Sequence, residues 1–367
     1  MSDAPYDSGL RRETPLAAKL RDRIHRDGPI SVADYMHACL QDAEHGYYRG
    51  KAAIGRAGDF ITAPEVSQVF GELIGLWCAV VWQQMGEPAS FDLIELGPGR
   101  GTLMADALRA TRIVKGFRDA ARIRLVETNP TLRQAQADAL TAQSATATWI
   151  AEFPTLSGPA IVIANEFLDT ASISQHVLTG EGWQERVVIV DEQGRLQFSS
   201  HPSAQADQLA QTWPAAPVGS IVETRVDPLP GWLTEKRATP IAALLLDYGH
   251  TEAQRGETLQ AVRAHAYEHP LTSPGEADLS CQVDFGTVAD AIRPALIVDG
   301  PTTQAEFLGS LGIMHRASRL MAANPAKSNA IEIGIARLMN PQGMGGRFKV
   351  LGARSSILPP LPGFTSV

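Results

Sequence analysis

Seven residues, Glu95-Leu96-Gly97-Pro98-Gly99-Arg100-Gly101, carry the densest chemical signal in the chain. An acid-x-Gly-x-Gly-x-Gly run that follows the apolar stretch Phe91 to Leu96 reads as a strand turning sharply into a helix. Glycine permits the tight turn and removes the Cβ that would hold a ligand away from the backbone, while the helix that follows presents unpaired N–H groups. Such a turn suits a carboxylate, and Glu95 beside it suits an ammonium. S-adenosylmethionine carries both groups on its methionine end, whereas a dinucleotide pyrophosphate offers no ammonium. The dinucleotide fingerprint would also place a third small residue at position 102, where Thr102 stands. Glu95, Gly97, Gly99 and Gly101 are therefore the expected cofactor contacts. A Gly-rich turn that serves structure alone is the alternative left open by the run itself.

A second acid supports a ligand. Glu127 closes the apolar segment Arg122 to Glu127, 32 residues beyond Glu95, which leaves room for one helix and its loops. A carboxylate at that strand end can bridge adjacent ribose hydroxyls. The next apolar segment, Ala160 to Ala164, runs into Asn165-Glu166-Phe167-Leu168-Asp169, and Ile241 to Asp247 ends in another acid. Open α/β sheets bind ligands at the carboxyl ends of their strands, so Asn165 is expected at the cofactor and Glu166, Asp169 and Asp247 at the reacting groups. Asp169 also suits a local turn or helix cap. Asp59 and Thr62 can reach the cofactor from a Gly-punctuated loop, although Thr62 equally suits the cap of a helix that has Pro64 in its first turn.

These segments need a scaffold. From Leu16 to Leu40 the apolar spacing is helical and broken at Gly28-Pro29, and Val66, Val69, Phe70, Leu73, Ile74, Trp77 and Val81 mark one face of a long helix. Strands at 91–96, 122–127, 160–164 and 241–247, with a last one at 348–351, alternate with helical segments as a doubly wound, Rossmann-like parallel sheet requires. The expected organisation is a helical cap and lid over residues 1–88 and a cofactor-binding core over 89–367. The core is expected to carry a β-rich insertion near 171–240 and a loop and helical insertion near 250–340. Residues 46–70 are expected to close over the cofactor. Gly71 and Gly75, four apart, can let two helices approach closely, and Asp284 suits a helix cap.

Composition narrows the partners. Apolar residues make up 44% and charged residues 20% of the 367, ordinary globular usage, while a net charge of -8 argues against a nucleic-acid surface. Cys39, Cys78 and Cys281 are too far apart for paired metal-ligand spacing and odd in number for a disulfide framework, which points to a reducing compartment. The first twelve residues lack the apolar core of a signal peptide and no apolar run reaches spanning length, so a cytoplasmic protein with no membrane insertion is expected. His265-Ala266-Tyr267-Glu268-His269 matches the H-x-x-E-H pattern of inverted zinc peptidases, but Pro270 follows at once and nothing identifies a third ligand. No metal is expected. A NAD oxidoreductase is a weaker alternative to a methyltransferase.

Several blocks together resemble the MidA-like family of S-adenosylmethionine-dependent methyltransferases. They are His45-Gly46-Tyr47-Tyr48, Gly58 to Glu65 with Phe70-Gly71-Glu72, Glu95 to Gly101, Asn165 to Asp169, Asp247-Tyr248-Gly249, and Gly343 to Leu351. The chain departs from the family at Thr170-Ala171-Ser172, where Ala-Leu-Pro is usual, and at Gln260, where an Arg is expected. The resemblance implies a class I methyltransferase fold and methylation of a protein arginine on a respiratory complex I type subunit. It also implies a mitochondrial matrix location for eukaryotic members, and it leaves the oligomeric state open, a dimer included. Methylation of another protein or small molecule, or an assembly role that keeps the fold without turnover, are the competing readings. A guanidinium is protonated at neutral pH and would approach a sulfonium, so carboxylates must offset the repulsion. Glu166 is the preferred partner, with Asp169 next.

Overall fold

The structure, a computed structural model, describes residue 7, residues 9–49 and residues 62–364. Its centre is a sheet whose strands follow the apolar runs: β1 (Phe91–Leu96), β2 (Ala121–Val126), β3 (Thr148–Ile150), β4 (Ala160–Asn165), β5 (Ile241–His250), β6 (Ile297–Thr303) and β7 (Phe348–Arg354). Every residue of β1 and β4 is buried, the pattern of strands covered on both faces. The strand order is β3-β2-β1-β4-β5-β7-β6. Neighbours from β3 to β5 are parallel, and β7 runs antiparallel between β5 and β6. The chain moves outwards from β1 to β3 and then returns to β4 on the other side of β1. The carboxyl ends of β1 and β4 therefore flank a topological switch point, where open sheets form their ligand crevice.

Two apolar layers enclose the sheet. On one face, Leu93, Ile161, Ile163 and Leu244 pack with Phe70, Ile74 and Trp77 of the helix Gln68–Gln84 and Leu103 of the helix Thr102–Ala110. On the other, Ile94, Val162 and Leu245 meet Phe285 and Val288 of the helix Phe285–Ile292. The expected boundary near residue 88 thus runs through one hydrophobic core. The long helix expected from Pro64 is two helices, Ala63–Val66 and Gln68–Gln84, because Ser67 turns extended at φ -156° and caps the second with its side chain. Asp284 caps the helix Phe285–Ile292, its carboxylate accepting from Thr287 N at 3.0 Å.

Gly71 and Gly75 do bring two helices together. A Cβ on Gly75 would lie 2.4 Å from Ala107 Cα, and one on Gly71 2.7 Å from Asp106 Cβ. Backbone cannot yield as a side-chain tip does. Gly75→Ala is therefore expected to destabilise the fold by about 1–3 kcal/mol. It should lower the urea midpoint, and an unchanged midpoint would show that the two helices separate at no cost.

The remaining chain builds a second layer. Ser172–Thr179, Gly182–Val190, Leu196–Pro202 and Ile221–Val226 form an antiparallel sheet, joined by Ile30–Ser31 through the pair Ile30 and Val188. Leu16, Leu20, Tyr35 and Met36, from the helices Pro15–Asp27 and Val32–Gln41, pack with Ile173 and Val188 of that sheet. They also pack with Ala261 and Leu279 of a three-stranded sheet over 260–280. The N-terminal helices, the sheet over 172–226 and the three-stranded sheet over 260–280 thus form one packed layer, whereas the rest of the insertion expected near 250–340, with the helix Phe285–Ile292 and the strand β6, belongs to the core around the central sheet.

Candidate active site

The glycine run folds as a chain of left-handed residues, with φ 60° at Gly97, 54° at Gly99 and 79° at Gly101. Other residues adopt this region only at a cost. A Cβ at Gly97 would also lie 2.9 Å from the Phe167 ring, and one at Gly101 3.1 Å from Gln136 Cα. At these two positions the protein itself, and not only a ligand, fills the space. Gly97 and Gly99 line a cavity of about 530 Å³ together with Glu127, Glu152, Phe153 and Glu166. Tyr48 closes one side, and Thr170, Ala171 and Ser172 extend the wall.

Glu127 is fixed within this wall. One carboxylate oxygen accepts from Asn129 N at 2.7 Å, and the other from Gln136 Nε2 at 3.3 Å. The same Gln136 nitrogen donates to Gly99 O at 2.7 Å, and Gln136 Oε1 accepts from Trp149 Nε1 at 2.7 Å. Gln136 is fully buried, so this brace sets the turn and the strand-end acid at one distance from each other. Sequence reading missed it, because a Gln inside a helical run carries no signal of its own.

The residues after β4 form a tight, polar turn. Glu166 has φ 51°, a left-handed conformation that a non-glycine residue holds only where its surroundings impose it. Asp247 supplies part of that constraint. Its Oδ2 accepts from the backbone N–H groups of Phe167, Leu168 and Asp169 at 3.1, 2.9 and 3.1 Å, and its Oδ1 from Tyr248 N at 2.9 Å. Asp247 is fully buried and committed to backbone, which makes it a positioning residue for the turn in place of a group facing the reactants. Glu166 Oε1 accepts from Ala63 N at 2.9 Å and from Asn165 Nδ2 at 3.2 Å. No described residue donates to its Oε2.

Burial perturbs the acids around the turn. It pushes Glu166 up to about 7, opposed by the Ala63 N–H, and Asp169 up to about 6, opposed by a hydrogen bond from Tyr248. Asp247 is raised by burial and by the neighbouring Asp169 and Glu166. The three carboxyls therefore carry fewer than three charges at neutral pH. A cation entering the site would draw them into the ionised form.

Glu95 is 3% exposed, and burial pushes it up to about 8. Its Oε2 and Asn165 Oδ1 are buried with no described donor, on the paired strands β1 and β4 beside Gly97. Two orphaned acceptors at the switch point fit an ammonium. Ionised Glu95 carries a stability cost. Its pKa is raised in the folded state, so stability falls as pH rises from 4.5 towards about 8. Glu95→Gln is expected to raise the melting temperature of the ligand-free protein by a few degrees at about pH 8 and by less at about pH 5, while weakening cofactor binding. An equal shift at both pH values would remove the buried charge from this account.

Thr62 holds the cap position of the helix Ala63–Val66 without a side-chain cap bond. Asp59 lies outside the described residues, as do residues 50–61 of the segment expected to close over the site. His265, at φ 62°, sits in the hairpin turn between Gln260–Arg263 and Ala266–Glu268, so the H-x-x-E-H residues do not share a helix face. Gln260 reaches Tyr248 and Ser280 at 3.4 and 3.3 Å. Among the residues assigned from sequence, Gly97, Gly99, Glu127 and Glu166 line the cavity, whereas Glu95, Gly101, Asn165, Asp169 and Asp247 are not part of its lining.

Residues 73–302 match a family model described as "putative S-adenosyl-L-methionine-dependent methyltransferase", more than half of the chain. The chain belongs to this family. This methyltransferase is 34% identical to the mitochondrial protein arginine methyltransferase NDUFAF7 of Danio rerio, over 95% of this chain and 92% of the relative. It is also 34% identical to the NDUFAF7 homolog of Drosophila melanogaster, over 94% and 85%. A Burkholderia thailandensis protein crystallised with S-adenosyl-homocysteine superposes with a TM-score of 0.84 at 26% identity, covering 97% of each chain. The methyltransferase thus has the class I fold and uses S-adenosylmethionine. Among the described residues no helix is long and apolar enough to cross a membrane.

Proposed function

We propose that this methyltransferase acts on a guanidinium nitrogen of a protein arginine, on a respiratory complex I type subunit as the family resemblance implies. The observation that carries the reading is the sign of the cavity. Glu127, Glu152, Glu166 and Asp227 line it, and no Lys or Arg does so among the described residues. An acidic pocket suits two cations and disfavours the pyrophosphate of a dinucleotide. When bound, S-adenosylmethionine supplies a methyl group on a positively charged sulfur. Glu127 holds the ribose hydroxyls, the Gly97–Gly101 turn receives the carboxylate, and Glu95 with Asn165 takes the ammonium.

Glu166 then faces the substrate. At about 4 Å and an effective dielectric near 20, two unit positive charges repel by roughly 4 kcal/mol. An ionised carboxylate beside the guanidinium offsets part of this. Methyl transfer leaves the guanidinium with one proton to lose, and Glu166, with its pKa near 7, is matched to accept it. The relatives named as arginine methyltransferases support the same substrate class. We place the reaction in the bacterial cytoplasm, in keeping with three buried free cysteines. The test is transfer of a labelled methyl group from S-adenosylmethionine into a lysate of the source cells, with the labelled residue mapped by mass spectrometry. Label on arginine is expected. Label on another residue type, or none, would overturn the reading.

A further inference from the structure

A second cavity, of about 640 Å³, lies at the opposite edge of the central sheet, and its charge is reversed. Ala121, the first residue of β2, lines it, whereas Val126 at the other end of β2 lines the acidic cavity. Five residue steps at about 3.3 Å each put Ala121 and Val126 roughly 17 Å apart. The segment from Arg109 to Arg124 contains six basic residues, Arg109, Arg112, Lys115, Arg118, Arg122 and Arg124, against one acid, Asp119, in a chain whose net charge is -8.

These six divide into two groups. Arg109 is paired with Glu72 at 3.0 Å, and Arg122 and Arg124 with Asp92 at 3.0 and 3.1 Å. Arg112, Lys115 and Arg118 line the cavity and have no ion-pair partner among the described residues, although Asp119 lies in the same wall. Two of them are held in place. Arg112 Nη2 donates to Gln143 Oε1 at 3.1 Å and Arg118 Nη2 to Gln143 O at 2.5 Å, so two guanidinium forks converge on one residue with donors to spare. Ser144 and Thr146 add hydroxyls to the rim, and Leu108, Val114 and Ile123 supply an apolar wall.

Convergent guanidiniums match phosphate oxygens two at a time, and the cavity has the size of a small-molecule site. We propose that it binds a small polyphosphate ester of the nucleoside di- or triphosphate class. The phosphates lie between Arg112, Lys115 and Arg118, and the organic part lies against the apolar wall. The site is distinct from the methyl-transfer cavity and does not depend on the identity of the methylated residue.

Calorimetric titration of the full chain with inorganic triphosphate, and separately with ATP, tests this. Both are expected to bind, more weakly as salt rises. The double substitution Arg112→Ala, Arg118→Ala should weaken both by at least about tenfold. Affinity for S-adenosyl-homocysteine serves as the folding control and should not change. ATP is expected to bind more tightly than triphosphate, because its nucleoside gains the apolar wall of Leu108, Val114 and Ile123, and equal or weaker binding of ATP would overturn the assignment of a nucleoside ester. Absence of binding up to about 1 mM, or equal affinity in the control-folded double variant, would overturn the proposal.

Discussion

Glu166→Gln is expected to slow methyl transfer about thirtyfold while cofactor affinity stays within about twofold. The substitution keeps the size and the acceptor oxygen, so the bonds from Ala63 N and Asn165 Nδ2 can persist, and with them the φ 51° turn. What it removes is charge. If half of a repulsion of roughly 4 kcal/mol returns, the barrier rises by about 2 kcal/mol, which is the thirtyfold. The pH profile gives an independent reading of the same group. Glu166 acts as a carboxylate, so wild-type kcat/KM, which reports the free enzyme, should rise as pH passes through about 7, and the variant should lose that limb. Single-turnover assays on the mapped substrate, with affinity measured in parallel, check both. Near-normal transfer would shift the role to Asp169. Parallel loss of affinity would make Glu166 a cofactor residue.

Gly99→Val should cost the protein its cofactor. Gly99 sits at φ 54°, where a β-branched residue is strained by about 1–3 kcal/mol, and it lines the cavity wall. Its carbonyl also anchors Gln136, which braces Glu127, so any relief of strain by backbone movement disturbs the acid assigned to the ribose. Affinity for S-adenosylmethionine is expected to fall by at least about a hundredfold, with circular dichroism confirming that the variant folds. Unchanged affinity in a folded variant would exclude this turn as the site.

Where local chemistry alone decided the structure, the sequence was readable. The apolar runs that became β1, β2, β4, β5 and β7, the glycine turn, the strand-end Glu127 and the acid at Glu166 each carry a short-range signature. The structure shows two strands that lacked one. β3 is three residues long at a sheet edge, and β6 contains Asp299, Gly300 and Pro301 with a register shift between Asp299 and Thr302, so its alternation is lost in sequence. The strand Ile30–Ser31 exists only because the insertion sheet offers it a partner.

The site shows the same division. Glu152, Phe153 and Asp227 line the cavity but are ordinary residues in sequence, brought to Gly97 by topology. Asp247 illustrates the reverse case. Its place at a strand end on the active edge suggests contact with the reactants, yet three of its four accepted backbone bonds come from a turn some 80 residues earlier. No local pattern contains that distance.

The central claim is that the acidic cavity above the Gly97–Gly101 turn is built for a cationic methyl donor and its cationic acceptor. Equilibrium titration of the unmodified chain with S-adenosylmethionine, S-adenosyl-homocysteine and NAD tests it most directly. The account predicts that the first two bind competitively at one site and that NAD, whose pyrophosphate would face Glu127, Glu152, Glu166 and Asp227, does not. Binding of NAD as tight as that of S-adenosylmethionine, or no competition between the donor and its demethylated product, would contradict it.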